Sequence, residues 1–306
     1  MNDATVFQNP NFFDYTSEDE KQYRQNLMDY LNAHWTNTYS KAELLVESNS
    51  HVVYKVFSTA DKKPSVLKFF RKKSERDLEQ HALVYWDNSS ISVPKIISVQ
   101  DISISNLATY LTHMEFVEGE NMLTKFKLGD TYLTNEYGTD IANVLKTIDI
   151  PFTGNAMHFP QSMYASSFEK IVSVPGFERQ LKSAFSTYEL CRKQQHPRLL
   201  HGDFRDGNLI QNARKITIVD PGPALGHIAT DFMYYFARSF ISGFTSHLDG
   251  FSASFLQNRI DLEEVKAVAL LECARIFLSF NQNNYQDQRA KVLEMMQLLI
   301  ADALFK

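Results

Sequence analysis

Leu199-Leu200-His201-Gly202-Asp203-Phe204-Arg205-Asp206-Gly207-Asn208-Leu209-Ile210, closed by Ile218-Val219-Asp220-Pro221-Gly222, sets oxygen-bearing side chains among short apolar pairs. Leu209-Ile210 and Ile216-Thr217-Ile218-Val219 flank a polar turn at 212–215, so they read as a hairpin. Asn208 stands five residues after Asp203, and Asp220 stands twelve after Asn208, one at each end of that hairpin. If the hairpin folds back, three oxygen ligands or bases converge. Magnesium takes oxygen donors and usually keeps several waters, so one carboxylate and one amide carbonyl are enough from the protein. Asp220 and Asn208 suit that role. A second carboxylate off the metal can orient a hydroxyl and accept its proton, which leaves Asp203 as the base. Arg205 could donate to a phosphoryl group and offset developing charge, or it could be a solvated surface residue.

Around this segment the chain is helical. Leu133, Tyr137, Ile141, Val144, Leu145 and Ile148 recur at helical intervals, as do Phe177, Leu181, Phe185 and Tyr188. Two further helices are expected over about 262–280 and 286–304, and the hairpin is the single strand-like interruption. Tyr234-Tyr235-Phe236 reads as helix core, and so does Cys191. The N-terminal part has another texture. Ser17 and Glu20 have capping-box spacing ahead of a helix at about 18–34, packed on the body. Strand-like runs follow at 44–46, 52–57, 65–70, 95–99 and 109–117, with one helix between Ser74 and Trp86. The expected fold is α+β in two lobes. Residues 1–118 form the leading helix and a small five-stranded antiparallel sheet with one helix, and 119–306 a mostly helical lobe.

Composition narrows the function classes. The chain has 306 residues, 44% apolar, with a formal net charge of -5, which leaves no footprint for nucleic acid or an anionic membrane surface. A cationic or neutral substrate fits that total slightly better. Two distant cysteines, Cys191 and Cys273, suit a reducing cytoplasm, and the N-terminus lacks the basic and apolar regions of a signal peptide. No run approaches a membrane span, since 265–280 carries Lys266, Glu272 and Arg275. The sequence fixes no oligomeric state. His201 has no HExxH partner and no GxSxG accompanies it, so it is expected to position its loop, not to bind metal or serve a serine nucleophile.

The quoted motif resembles the aminoglycoside phosphotransferase and choline kinase superfamily, distant relatives of protein kinases. The resemblance implies Asp203 as catalytic base, Asn208 and Asp220 as magnesium ligands, and ATP as phosphoryl donor. Asp231 in Thr230-Asp231-Phe232 resembles the aspartate that anchors the catalytic loop through backbone hydrogen bonds. Upstream, Lys68 in Val66-Leu67-Lys68 resembles the phosphate-binding lysine, and Glu79 the helix glutamate paired with it. Glu75, one turn earlier, is a rival, and a plain surface salt bridge is the other reading of Glu79. His113-Met114-Glu115-Phe116-Val117-Glu118-Gly119 reads like a hinge whose Glu115 carbonyl and Val117 amide meet the adenine edge. The resemblance covers about 40–235 in the expected order.

Three departures accompany it. The first glycine is Gly119, so the phosphate loop near Ser48 and Ser50 is not glycine-rich, and P-loop and Rossmann fingerprints are excluded from this half. Serine hydroxyls and backbone amides would cover the phosphates instead. Arg205 replaces a histidine frequent in antibiotic kinases, and Pro221 replaces the aromatic of a DFG turn. Only the ten residues 221–230 separate Asp220 from Asp231, leaving little room to present a peptide. The expected acceptor is therefore a small-molecule hydroxyl: an aminoglycoside-like antibiotic, an amino alcohol, a sugar or a vitamin. The rival reading is a kinase-like nucleotide-binding regulatory protein that is weakly active or inactive.

Overall fold

The computed structural model describes residues 18–47, 51–104, 107–127, 135–156, 159–160, 164, 167–194, 197–213, 215–257, 261–280, 285–301 and 304. They fall into two compact units: the described residues of Met1–Asp87 with Val93–Val117, and Asn88–Ser92 with the described residues of Glu118–Lys306.

In the first unit α1 (Glu18–Trp35) precedes β1 (Tyr39–Glu47), β2 (His51–Ser58) and β3 (Pro64–Phe70), then come α2 (Lys73–Asn88), β4 (Ile96–Ile104) and β5 (Leu107–Glu115). The strands form one antiparallel sheet in the order β1-β2-β3-β5-β4. Side chains alternate across a strand, so Val52, Tyr54 and Val56 share one face with Leu67 and Phe69. Leu27, Met28 and Leu31 of α1 pack on that face, and the Tyr54 hydroxyl donates to the Met28 sulfur at 2.9 Å. Lys68, between Leu67 and Phe69, therefore faces the other way. Ala82, Leu83 and Trp86 bury the apolar side of α2. Arg76 of α2 is buried too and ties the helix to β4 through Asp101 and the Gln100 carbonyl.

The second unit runs β6 (Glu120–Asn121), α3 (Met122–Lys127), α4 (Asn135–Ile148), α5 (Phe168–Ile171), α6 (Glu178–Gln194), β7 (Arg198–Leu200), β8 (Leu209–Asn212), β9 (Lys215–Ile218) and β10 (Ala224–Gly226). It continues through α7 (Ala229–Ser242), α8 (Leu248–Leu256), α9 (Leu262–Ser279) and α10 (Gln286–Ile300). The expected hairpin is β8-β9. It is not the single interruption: β6 extends it to three strands, and β7 pairs with β10. Strands of two or three residues carry no readable period, which is why they were not anticipated. The last helix stops at Ile300, short of the expected 304. The core forms around α7 and α9, whose Phe232 stacks on Phe255 of α8 at 4.2 Å. Among the described residues no helix is long and apolar enough to cross a membrane.

Candidate active site

The loop after β7 is fixed by backbone contacts before any reactive side chain is placed. Asp231, in the first turn of α7, is fully buried and accepts from the His201 amide at 2.6 Å and the Gly202 amide at 2.8 Å. Burial pushes its carboxyl up to about 7, against the pull of those two N–H donors. The His201 carbonyl accepts from the Gly222 amide at 2.9 Å, so the loop is also tied to the segment that follows the hairpin. Gly202 has φ +75, and a Cβ there would lie 1.9 Å from the Gly222 carbonyl oxygen, which only glycine avoids.

His201 itself is fully buried. Its Nδ1 lies 3.3 Å from the Asp203 amide and its Nε2 3.0 Å from the Val219 carbonyl. An acceptor Nδ1 and a donor Nε2 define the neutral tautomer, and burial, which lowers the imidazole pKa, keeps it neutral. The histidine thus braces the loop against the hairpin.

The brace brings Asp203, Asn208 and Asp220 together. A 3-10 turn at Asp206–Asn208 turns the chain so that the Asn208 amide nitrogen meets three oxygens: the Asp203 carbonyl at 2.8 Å, Asp203 Oδ2 at 2.8 Å and the Asp220 carbonyl at 3.4 Å. Three acceptors around one terminus assign it as the NH2 group, which makes the other an oxygen donor. Asp220 has φ +55, a left-handed conformation that asparagine and aspartate tolerate better than most residues. Such residues gather at functional sites.

Three donors meet the Asp203 carboxylate. Oδ2 accepts from Arg205 Nε at 2.9 Å and from Asn208, and Oδ1 accepts from the Tyr234 hydroxyl at 2.8 Å. Tyr234 was read as helix core, and it is largely buried, yet its hydroxyl reaches the loop. The available signal was its spacing: it lies three residues after Asp231, on the same face of α7. Burial, and behind it the Asp203 charge, hold the phenol above its ordinary pKa, so it remains a donor.

In the other unit Lys68 Nζ meets Glu79 Oε2 at 2.5 Å, with side chains 4% and 5% exposed. The rival Glu75 pairs with Lys72 on the surface at 3.0 Å. The Glu115 amide donates to the Lys95 carbonyl at 2.9 Å, and Val117 closes this unit's stretch of chain. Ser48 and Ser50 lie outside the described residues.

A magnesium ion fits what is present. Among the described residues no three His, Cys, Asp or Glu side chains form a protein-only metal cage. Magnesium needs none, since one or two protein oxygens suffice beside waters and phosphates. The Asn208 Oδ1 and the Asp220 carboxylate are oxygens of that kind.

Residues 44–267 match the model of a family described as phosphotransferase enzymes. No curated protein matches the chain by sequence. Among solved structures, a spectinomycin phosphotransferase in complex with ADP and spectinomycin is similar at TM-score 0.57 and 16% identity, over 90% of this chain and 97% of that one. A thermostable mutant aminoglycoside phosphotransferase in a ternary complex with AMP-PNP and hygromycin B is similar at 0.62 and 12%, over 91% and 99%. An ethanolamine kinase from Plasmodium vivax gives 0.60 and 13%, over 95% and 92%. At these identities the likeness shows the fold, which is the kinase-like fold of such phosphotransferases.

Proposed function

The chain belongs to that phosphotransferase family, and we propose that it moves the γ-phosphoryl group of ATP, with magnesium, onto a hydroxyl of a small molecule. The observation that carries this reading is the state of Asp203. A carboxylate offers about four lone-pair sites, three are taken by Tyr234, Arg205 and Asn208, and the remaining one is on Oδ1. An acceptor hydroxyl there gives its proton to Oδ1 as its oxygen bonds to the γ-phosphorus. The bond from that phosphorus to the β-bridging oxygen breaks, and ADP leaves.

The remaining residues position and neutralise. Arg205 steadies Asp203 through Nε, and its terminal amino groups serve the transferring phosphoryl oxygens. Asn208 and Asp220 hold magnesium, which when bound neutralises phosphate charge. Lys68, steadied by Glu79, binds phosphate. The Glu115 carbonyl and the Val117 amide meet the adenine edge. A small acceptor is favoured because residues 221–230 are spent on β10 and the entry to α7, with no platform for a peptide.

The test is magnesium-dependent ADP release across a panel of hydroxylated metabolites and aminoglycosides. Turnover of at least one acceptor is expected, and ATP binding with no acceptor phosphorylated contradicts the reading. Asp220→Ala should abolish metal-dependent nucleotide binding, and normal binding by that variant would remove the metal assignment.

A further inference from the structure

If an acceptor hydroxyl sits at Asp203 Oδ1, the groups around that atom select the rest of the acceptor. The Tyr234 hydroxyl that reaches Oδ1 also accepts from Arg238 Nε at 3.3 Å, one turn on along α7. The Arg238 guanidinium lies 5.4 Å from the Tyr234 ring centre and 5.8 Å from that of Phe280, and Arg275 covers the same tyrosine at 5.3 Å. Arg205 is the third arginine here, and it touches Asp203 directly where Arg238 and Arg275 reach it only through Tyr234.

The balance of charge is uneven. Arg205 is matched by Asp203, and Arg275 by a bidentate contact to the buried Glu272, which also accepts from the Tyr164 hydroxyl at 3.2 Å. Among the described residues Arg238 has no carboxylate partner, only a phenol and two ring faces. The acidic side chains nearby, Asp206 and Glu272, are both buried: Asp206 accepts from Ser239 and Glu272 is taken up by Arg275. Among the described residues the one unmatched charge beside the base is therefore positive, although the chain is negative overall.

We infer that the acceptor carries an anionic oxygen group, a carboxylate or a phosphate, which Arg238 binds one tyrosine hydroxyl away from Asp203. This rests on the phosphotransferase reading above. A planar guanidinium held against aromatic faces is preorganised for two parallel hydrogen bonds to such a group. An ammonium in the same place would meet like charge.

Matched acceptor pairs test it: serine against ethanolamine, glycerate against glycerol, and a sugar phosphate against its free sugar, with hygromycin B as a cationic acceptor. The wild type should prefer the anionic member, and which anionic arm turns over separates carboxylate from phosphate. In Arg238→Gln the anionic-to-neutral ratio of kcat/KM should fall about 10- to 100-fold, mainly through KM, with Arg238→Lys recovering part of it. An unchanged ratio, or a wild-type preference for the amines with efficient turnover, overturns the inference and leaves the phosphotransferase reading standing. If nothing turns over, thermal unfolding with ADP and magnesium present decides. Stabilisation by sulfate over chloride at equal ionic strength, lost in Arg238→Gln but retained in Arg238→Lys, upholds the anion site while the phosphotransferase reading falls. No such difference overturns the inference.

Discussion

Replacing Glu79 by glutamine leaves the Lys68 ammonium almost fully buried without that carboxylate. At 2.5 Å, and an effective dielectric of about 20, the two charges attract by about 7 kcal/mol, most of which offsets the cost of taking both out of water. The net benefit of the pair is small, but removing one partner exposes the unpaid desolvation of the other, so Glu79→Gln should lose about 3–5 kcal/mol. Lys68→Met with Glu79→Leu, which removes both charges, should recover most of that loss while phosphotransfer stays abolished. Urea unfolding followed by tryptophan fluorescence reports this unit alone, because both tryptophans of the chain, Trp35 and Trp86, belong to it. A loss below about 1 kcal/mol in Glu79→Gln, or a double variant no more stable than the single, would refute the reasoning.

Tyr234→Phe removes one donor to Asp203 and should lower kcat/KM for the acceptor by about 10-fold or more, measured by ADP release; wild-type kinetics would remove Tyr234 from the site. Gly202→Ala forces a methyl into the Gly222 carbonyl and should destabilise the chain by at least about 2 kcal/mol by thermal unfolding, whereas Gly222→Ala, with nothing within 4 Å of the added carbon, should be near wild type. His247 is buried and its pKa is pushed down from 6.5 to about 4 by desolvation, so its contribution to stability is present above pH 6.5 and lost as pH falls through about 4. At about 1.4 kcal/mol per pH unit, wild type should lose about 3 kcal/mol relative to His247→Gln over that window, and parallel stability curves would contradict this.

The parts legible in sequence are those where a local pattern has one physical solution. The alternation through Val52, Tyr54 and Val56 is a half-buried strand, and the spacing of Asp203, Asn208 and Asp220 around two β-rich runs is a hairpin with polar groups at its ends. The resemblance put Glu79 ahead of Glu75, but spacing alone could not separate them, because both lie on α2 within reach of a lysine and only the fold shows which is buried. Tyr234 was hidden because an aromatic on an amphipathic helix looks like core until its hydroxyl has a partner. The arginines were hidden by averaging: a net charge of -5 says nothing about three guanidinium groups brought near Tyr234 and Asp203 from the loop after β7, α7 and α9. Nor does sequence reveal that Asp220 adopts a positive φ, since aspartate fits either conformation.

The most direct test of the account is Asp203→Asn, which keeps the shape of the side chain and removes its ability to take the acceptor proton. With an acceptor from the panel in hand, phosphorylation should fall by about 100- to 10,000-fold while magnesium-dependent ATP binding stays close to wild type. Turnover within a few-fold of wild type in Asp203→Asn would contradict the assignment of the base.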